Sequence, residues 1–200
     1  GNDEIKTHKK IIFGNGSPDY IDGDSLSDRL YGGNGTDILN GKEGNDYLEG
    51  GADNDILDGG TGFNTLDGGF GTGDIFNFNA DFGDAKIRDA DGGIIQLDSR
   101  RLSVTRMEGK AGTDGTFLFV DAAGNPIAGK EDWLASVSGS TLTLHVTNVN
   151  GEKRTITAEG FSWANEAKFG ITFDDNVIQP AKPAQVSVYE VADGKFYIQR

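Results

Sequence analysis

Six acidic or amide residues recur through the first third of the chain at a fixed interval. Asp19, Asp28, Asp37, Asp46, Asp55 and Asn64 stand nine residues apart, and Asp74 follows one residue late. A single such Asp more often caps a turn by accepting hydrogen bonds from nearby amides. Five in register, each in a unit opened by glycine, offer an array of hard oxygen donors suited to a cation. Charge points the same way, because residues 14–76 hold thirteen acids against Arg29 and Lys42, a local charge of -11 within a whole-chain -14. Residues 1–13 carry +1 and residues 77–200 carry -4. So acidic a chain repels a phosphate backbone or an anionic membrane, which argues against nucleic acid as a partner. The absence of cysteine removes disulfides and thiolate metal sites.

The elements that must position these residues follow from the same units. From Gly14 they read GNGSPDYID, GDSLSDRLY, GGNGTDILN, GKEGNDYLE, GGADNDILD, GGTGFNTLD and, shifted by one residue, GGFGTGDIF. Six residues rich in Gly, Asp and Asn make a turn, since glycine supplies the positive φ that tight turns need. The apolar-centred triplet that follows makes a short strand. Its eighth position is Ile21, Leu30, Leu39, Leu48, Leu57, Leu66 and then Phe76. Glycine with acids is also a composition of disordered linkers. A linker, however, has no reason to place one apolar residue in every unit.

With the pattern G-G-x-G-x-D-x-U-x, residues 14–76 resemble the RTX β-roll modules of Gram-negative type I secreted toxins, lipases and proteases. Units 32–40, 41–49 and 50–58 follow the pattern most closely, while units 14–22 and 23–31 depart from it at Pro18 and Leu26. The resemblance implies that two units make one circuit, stacking residues eighteen apart at about 4.8 Å. Asp19, Asp37 and Asp55 then line one edge, and Asp28, Asp46 and Asn64 the other. Adjacent carboxylates at that spacing repel by about 0.9 kcal/mol in water and about 3.5 kcal/mol at an effective dielectric of 20. Calcium relieves this, because two bonds of roughly 2.4 Å bridge the gap and free backbone carbonyls complete its six to eight oxygens; magnesium, with shorter bonds and a strict octahedron, fits less well.

Carried onto this chain, the family's ligand positions are Gly14, Gly16 and Asp19; Gly23, Ser25 and Asp28; Gly32, Gly33, Asn34, Gly35 and Asp37; Gly41, Glu43, Gly44 and Asp46; Gly50, Gly51, Ala52, Asp53 and Asp55; Gly59, Gly60, Thr61, Gly62 and Asn64; and Gly68 with Asp74. About four to five calcium ions are expected. The best sites pair the loop 32–37 with 50–55 and the loop 41–46 with 59–64, the latter weakened by Asn64. One large apolar residue per unit is a thin core against an ordering cost of about 1 to 2 kcal/mol per residue. Folding and ion binding are therefore expected as one event, with the calcium-free array largely unfolded.

Past Phe76 the period stops and an ordinary β composition begins. Strands are expected near Ala85–Arg88, Gly93–Leu97, Thr116–Val120, Thr141–Val146 and Arg154–Ala158. Asn150-Gly151 signals a type I′ hairpin. Ser162 can cap a short helix through Phe169, closed by Gly170. Phe76, Phe78 and Phe82 read as an aromatic cap over the last layer of the repeat. The expected fold is all-β, a parallel β-roll capped by a small antiparallel β-rich domain. Its parts are a lead-in at 1–13, the roll at 14–76, a capping or flanking domain at 77–176 and a Pro-containing linker and tail at 177–200. The flank resembles segments that follow RTX arrays, which implies a role in nucleating the roll from its C-terminal end. A packed domain with no duty beyond its own stability fits it as well.

Catalytic signals are weak. His8 and His145 lack a partner at metal-ligand spacing, and no G-x-S-x-G, H-E-x-x-H or phosphate loop occurs. The acidic pairs Asp89/Asp91 and Asp174/Asp175 are of a kind that exposed turns carry routinely. No run of eighteen apolar residues spans a bilayer. The start at Gly1 without an apolar leader reads as a piece of a longer chain, with any catalytic domain upstream. The resemblance implies a secreted, extracellular module, disordered in low calcium, passed by the type I secretion machinery and folded outside, with a host cell surface as a further partner. The alternative is a calcium-rigidified adhesin or ligand-binding module whose partner site lies in 77–176.

Overall fold

The computed structural model describes residues 9–78, 81–97, 100–106, 115–121, 123, 125–130, 132–163, 169–174, 187–190 and 196–199. His8, Asp175 and the Pro-containing linker at 179–185 lie outside the described residues, as do residues 164–168 of the expected helix.

Ten short strands wind into a parallel solenoid of five turns. Odd strands β1 (Ile11–Phe13), β3 (Arg29–Asn34), β5 (Tyr47–Ala52), β7 (Phe63–Phe70) and β9 (Asp84–Arg88) form one sheet. Even strands β2 (Tyr20–Asp22), β4 (Ile38–Asn40), β6 (Ile56–Asp58), β8 (Ile75–Phe78) and β10 (Ile94–Leu97) form the facing one. Pairs such as Leu30↔Leu48↔Leu66 and Leu39↔Leu57 repeat at eighteen residues, one full circuit of two units. A strand of three residues can send only its central side chain inward. That residue is the eighth of each unit, and Leu30, Leu39, Leu48, Leu57 and Leu66 are fully buried in two facing columns.

The winding does not end where the period does. Past Asp58 the spacing lengthens to nineteen residues, with Ile56↔Ile75 and Phe76↔Ile95, and between β7 and β9 to twenty-one, with Leu66↔Ile87. Phe76 and Phe78 therefore sit inside the core beneath a further turn rather than over an exposed end, and Phe82 packs edge-on against Phe78 at 5.5 Å.

Strand β9 then accepts β16 (Lys153–Glu159) as a parallel neighbour, and the sheet continues antiparallel through β15 (Thr141–Thr147), β14 (Leu134–Ser138), β13 (Gly115–Val120) and β12 (Ser103–Arg106). One sheet of the roll is thus continuous with the C-terminal sheet, and its open edge is covered. Strand β17 (Thr172–Asp174) closes the far side parallel to β12, and β11 (Arg100–Arg101) pairs with β10. A separate antiparallel pair joins β18 (Ser187–Glu190) and β19 (Phe196–Gln199). The five strands expected in this half are all present. Strand β14, of sequence LASVS, was not foreseen, since its serines weaken the apolar alternation. The turn from β15 to β16 departs from the type I′ expectation. A type I′ turn needs positive φ at both central residues. Here the Gly151 amide donates to the Asn148 carbonyl at 3.0 Å and, of Asn150 and Gly151, only Gly151 has positive φ.

Candidate metal centre

The burial pattern of the repeat isolates two positions besides the core leucine. The opening glycine and the sixth-position residue face inward: Asp28, Asp37, Asp46, Asp55, Asn64 and Asp74 are all at most 3% exposed. Third-position residues such as Gly16, Ser25, Asn34 and Glu43 stay at the exposed rim, with Ala52 and Thr61 half-buried. There the turns are stitched rung to rung, Asn34↔Ala52 and Glu43↔Thr61.

Each sixth-position side chain uses its two terminal atoms differently. One oxygen accepts the backbone amide of the corresponding residue one circuit earlier. Asp19 donates to Asp37 at 2.8 Å, Asp28 to Asp46 at 2.7 Å, Asp37 to Asp55 at 2.7 Å, Asp46 to Asn64 at 2.8 Å and Asp55 to Asp74 at 2.7 Å. Two ladders result, 19-37-55-74 and 28-46-64. The other oxygen, Oδ2, is buried without a partner in Asp37, Asp46, Asp55 and Asp74. The turn-capping and cation-binding roles that compete in the sequence are divided between the two oxygens of one carboxylate.

The orphan oxygen points at the opening glycine of its own unit. A Cβ on Gly41 would meet Asp46 Oδ2 at 2.5 Å and the Gly59 carbonyl of the next turn at 2.7 Å. Gly32 and Gly50 repeat this cradle with Asp37 and Asp55 and the carbonyls of Gly50 and Gly68. Glycine is required because carboxylate and carbonyl oxygens converge on the space a methyl would fill. Burying an unpaired carboxylate oxygen costs several kcal/mol unless a charge compensates it. A cation taking oxygen ligands meets that need, whereas zinc, favouring nitrogen and sulfur, fits this donor set poorly.

Electrostatics agree with the geometry. Burial, aided by neighbouring carboxylates and opposed by the amide hydrogen bonds, pushes the carboxyls of Asp46 and Asp55 up to about 7 and that of Asp74 to about 6. Asp37 is raised too, chiefly by burial. The ion pairs Lys10–Asp24 at 3.1 Å and Lys42–Asp22 at 2.9 Å hold rim carboxylates and leave these oxygens uncompensated.

The first two units differ in a way that the sequence only hinted at. Position two has positive φ in Gly33, Lys42, Gly51, Gly60 and Gly69, but not in Asn15 or Asp24. At those two residues the amide donates to the local carboxylate, Asn15 to Asp19 Oδ2 at 2.9 Å and Asp24 to Asp28 Oδ2 at 2.8 Å. Positive φ marks a peptide turned over, which withdraws the position-two amide from its own carboxylate and leaves the position-one carbonyl against the opening glycine of the preceding turn. Units 14–22 and 23–31 thus satisfy their own carboxylates. In unit 59–67, Asn64 donates through its amide nitrogen to the Gly60 carbonyl at 3.0 Å, which consumes that cradle.

Sequence reasoning missed Asp89. It is 5% exposed rather than a surface turn acid, and its Oδ2 is unpartnered beside Asp74. Because the offset grows to twenty-one residues, no nine-residue count reaches it; only the Asp-x-Asp-Gly-Gly run at 89–93 could have flagged it.

The family described as the RTX calcium-binding nonapeptide repeat (4 copies) matches residues 13–48, 31–66 and 49–72. No curated protein matches the chain. Among solved structures, the AlgE6R3 subunit of the Azotobacter vinelandii mannuronan C5-epimerase is 21% identical over 88% of this chain and 86% of that one, with a TM-score of 0.32. The AlgE6R2 subunit of the same enzyme is 23% identical over 86% and 97%, with a TM-score of 0.28. On the repeat itself, residues 13–72 form an array of RTX calcium-binding nonapeptide repeats.

Proposed function

We propose that the roll takes up calcium at the cradles of Asp37, Asp46 and Asp55 and at neighbouring turns, about four to five ions in all, and that it folds as it does so. The observation that carries this reading is the set of buried Oδ2 atoms of Asp37, Asp46 and Asp55, which have no hydrogen-bond partner and are each aimed at a glycine beside a carbonyl of the next turn. Calcium supplies the charge that removes the desolvation penalty, while the chain supplies oxygen donors at the right spacing and a backbone that cannot close without it.

In this reading the module is structural rather than catalytic. It stays open where calcium is scarce, passes the type I secretion machinery and closes outside the cell, where modules of this kind bind calcium at about 10⁻⁴ to 10⁻³ M. It thereby stabilises a larger secreted toxin, enzyme or adhesin, and a host cell surface is a fitting partner for such a protein. Circular dichroism with millimolar calcium and with chelator tests the coupling. A β signal that appears with calcium supports it, and one indifferent to chelator overturns it.

A further inference from the structure

One rung at the C-terminal end of the roll departs from the others. Beside Gly14, Gly23, Gly32, Gly41 and Gly50, the space is closed by the glycine carbonyl of the next turn. At Gly59 the nearest atoms belong to Asn64, and at Gly68 they belong to two carboxylates, those of Asp89 and Asp74. Extending the β7–β9 register by two residues from Leu66↔Ile87 sets Asp89 opposite Gly68. Asp89 Oδ2 and Asp74 Oδ2 lie 2.5 and 2.6 Å from where a Cβ on Gly68 would stand. A side-chain oxygen has replaced a backbone one.

Both oxygens are buried and unpartnered. The remaining oxygens are held in place, Asp74 Oδ1 by the Asp55 amide at 2.7 Å and Asp89 Oδ1 by the amides of Asp91 at 3.2 Å and Gly92 at 3.0 Å. Asp91 Oδ2 accepts the Gly71 amide at 3.0 Å, linking this loop to the one that carries Asp74. Oxygens of Asp74, Asp89 and Asp91 lie within 4.8 Å of one another, a span that two calcium–oxygen bonds of roughly 2.4 Å bridge.

We infer that Asp74, Asp89 and Asp91 form a divalent-cation site for calcium, with Asp89 and Asp91 contributed from beyond the nonapeptide repeat, that closes one ladder at the C-terminal end of the roll. This inference rests on the calcium reading above. Three carboxylates converge here, where an internal cradle offers one carboxylate oxygen and a carbonyl. Calcium affinity rises with the charge of the ligand set. The terminal site therefore fills first, and it fastens the turn before β8 to the turn between β9 and β10. Strand β9 is the one to which the C-terminal sheet is joined. The first ion bound thus anchors the roll to that sheet.

Calorimetric titration of the full chain with calcium, beside the variant Asp89→Asn/Asp91→Asn, tests this. The expected result is one ion fewer in the variant and loss of the tightest binding step by tenfold or more, with the β signal at saturating calcium retained. The same ion count and the same tightest step in both proteins overturn the terminal site while leaving the calcium reading intact. A parent chain that takes up no calcium overturns both. Should the double variant fail to fold even in saturating calcium, Asp91→Asn alone, at an exposed residue, is expected to weaken the tightest step threefold or more, and an unchanged value overturns the site.

Discussion

The roll and the antiparallel end share a sheet but are built on opposite principles. Inside the repeat each strand contributes one aliphatic side chain, and the inward positions between strands are glycine and aspartate. Beyond β10 the core adds aromatic rings to its aliphatic side chains, with Phe117, Phe119, Trp133, Phe161 and Phe169 buried and the rings of Trp163 and Phe173 packed at 5 to 6 Å from them. Residues 77–200 nearly balance their charge, where 14–76 do not. Such a mixed core buries enough apolar surface to hold itself together in water. A column of leucines flanked by uncompensated carboxylates does not, and under the proposed function a bound ion supplies the missing stability.

Calcium withdrawal should separate the two regions most sharply. Both tryptophans lie in the C-terminal half, so their emission reports on that half alone. With chelator, the β signal of the roll is expected to collapse while the blue-shifted emission of buried Trp133 persists. A red shift in parallel with the lost β signal would show that the halves fold as one unit.

Next in size is the core itself. Leu48→Ala should cost about 2 to 5 kcal/mol of calcium-loaded stability, by truncating a fully buried side chain with no neighbour able to fill the space. Thermal melts in excess calcium measure it. Gly51→Ala should be comparably damaging, since φ there is 121° and the new methyl would collide with the Gly33 carbonyl.

Acid should act on the two halves with opposite sign, each in its own pH window. In the ion-free fold, burial holds the carboxyls of Asp46 and Asp55 near 7, against an ordinary value of 3.8. The folded state then binds protons that the unfolded chain has released, so the ion-free roll should gain order as pH falls from about 8 toward about 5 and lose it as pH climbs back through 7. In the C-terminal sheet, Glu159 is lowered from its ordinary 4.5 by its hydrogen bond from Lys86, so its contribution is fully present above that value and is lost only at more acid pH, outside the window of the roll. Chelated protein followed by circular dichroism across this range reads the sign directly, and disorder that grows on acidification would refute it.

The smallest expected effect sharpens the account of the loops. Lys42 sits at φ 74°, where the neighbouring units place glycine. Lys42→Gly should therefore change stability by less than about 1 kcal/mol, relief of left-handed strain being offset by loss of the surface contact with Asp22 and by greater freedom of the unfolded chain. Equilibrium unfolding in calcium checks it.

The sequence made the roll legible because period and register are one quantity there. Asp37 and Leu39 could be placed by counting. What counting could not supply was the direction of a peptide plane, and this is what distinguishes the cradle of Asp46 from the self-satisfied Asp28. Both carry aspartate at position six; the difference is whether the residue one peptide past the opening glycine takes positive φ. The end of the winding was hidden for a related reason. Ile87 and Ile95 occupy the same columns as Leu66 and Phe76, but at offsets of twenty-one and nineteen residues. In the C-terminal half, alternating strands were recognisable one by one, while the order in which they join the sheet depends on packing that no short window contains.

The eighteen-residue offset also sets the unit in which such a chain can change length. Excising residues 32–49 would carry the chain from β3 directly into the place of its neighbour, leaving every leucine and aspartate opposite an equivalent partner. Excising only 41–49 would send each later strand to the opposite sheet and exchange the two carboxylate ladders. Duplication and loss within the array are therefore tolerated in even numbers of units, and the irregular offsets after Asp58 mark where this freedom stops and a fixed terminus begins.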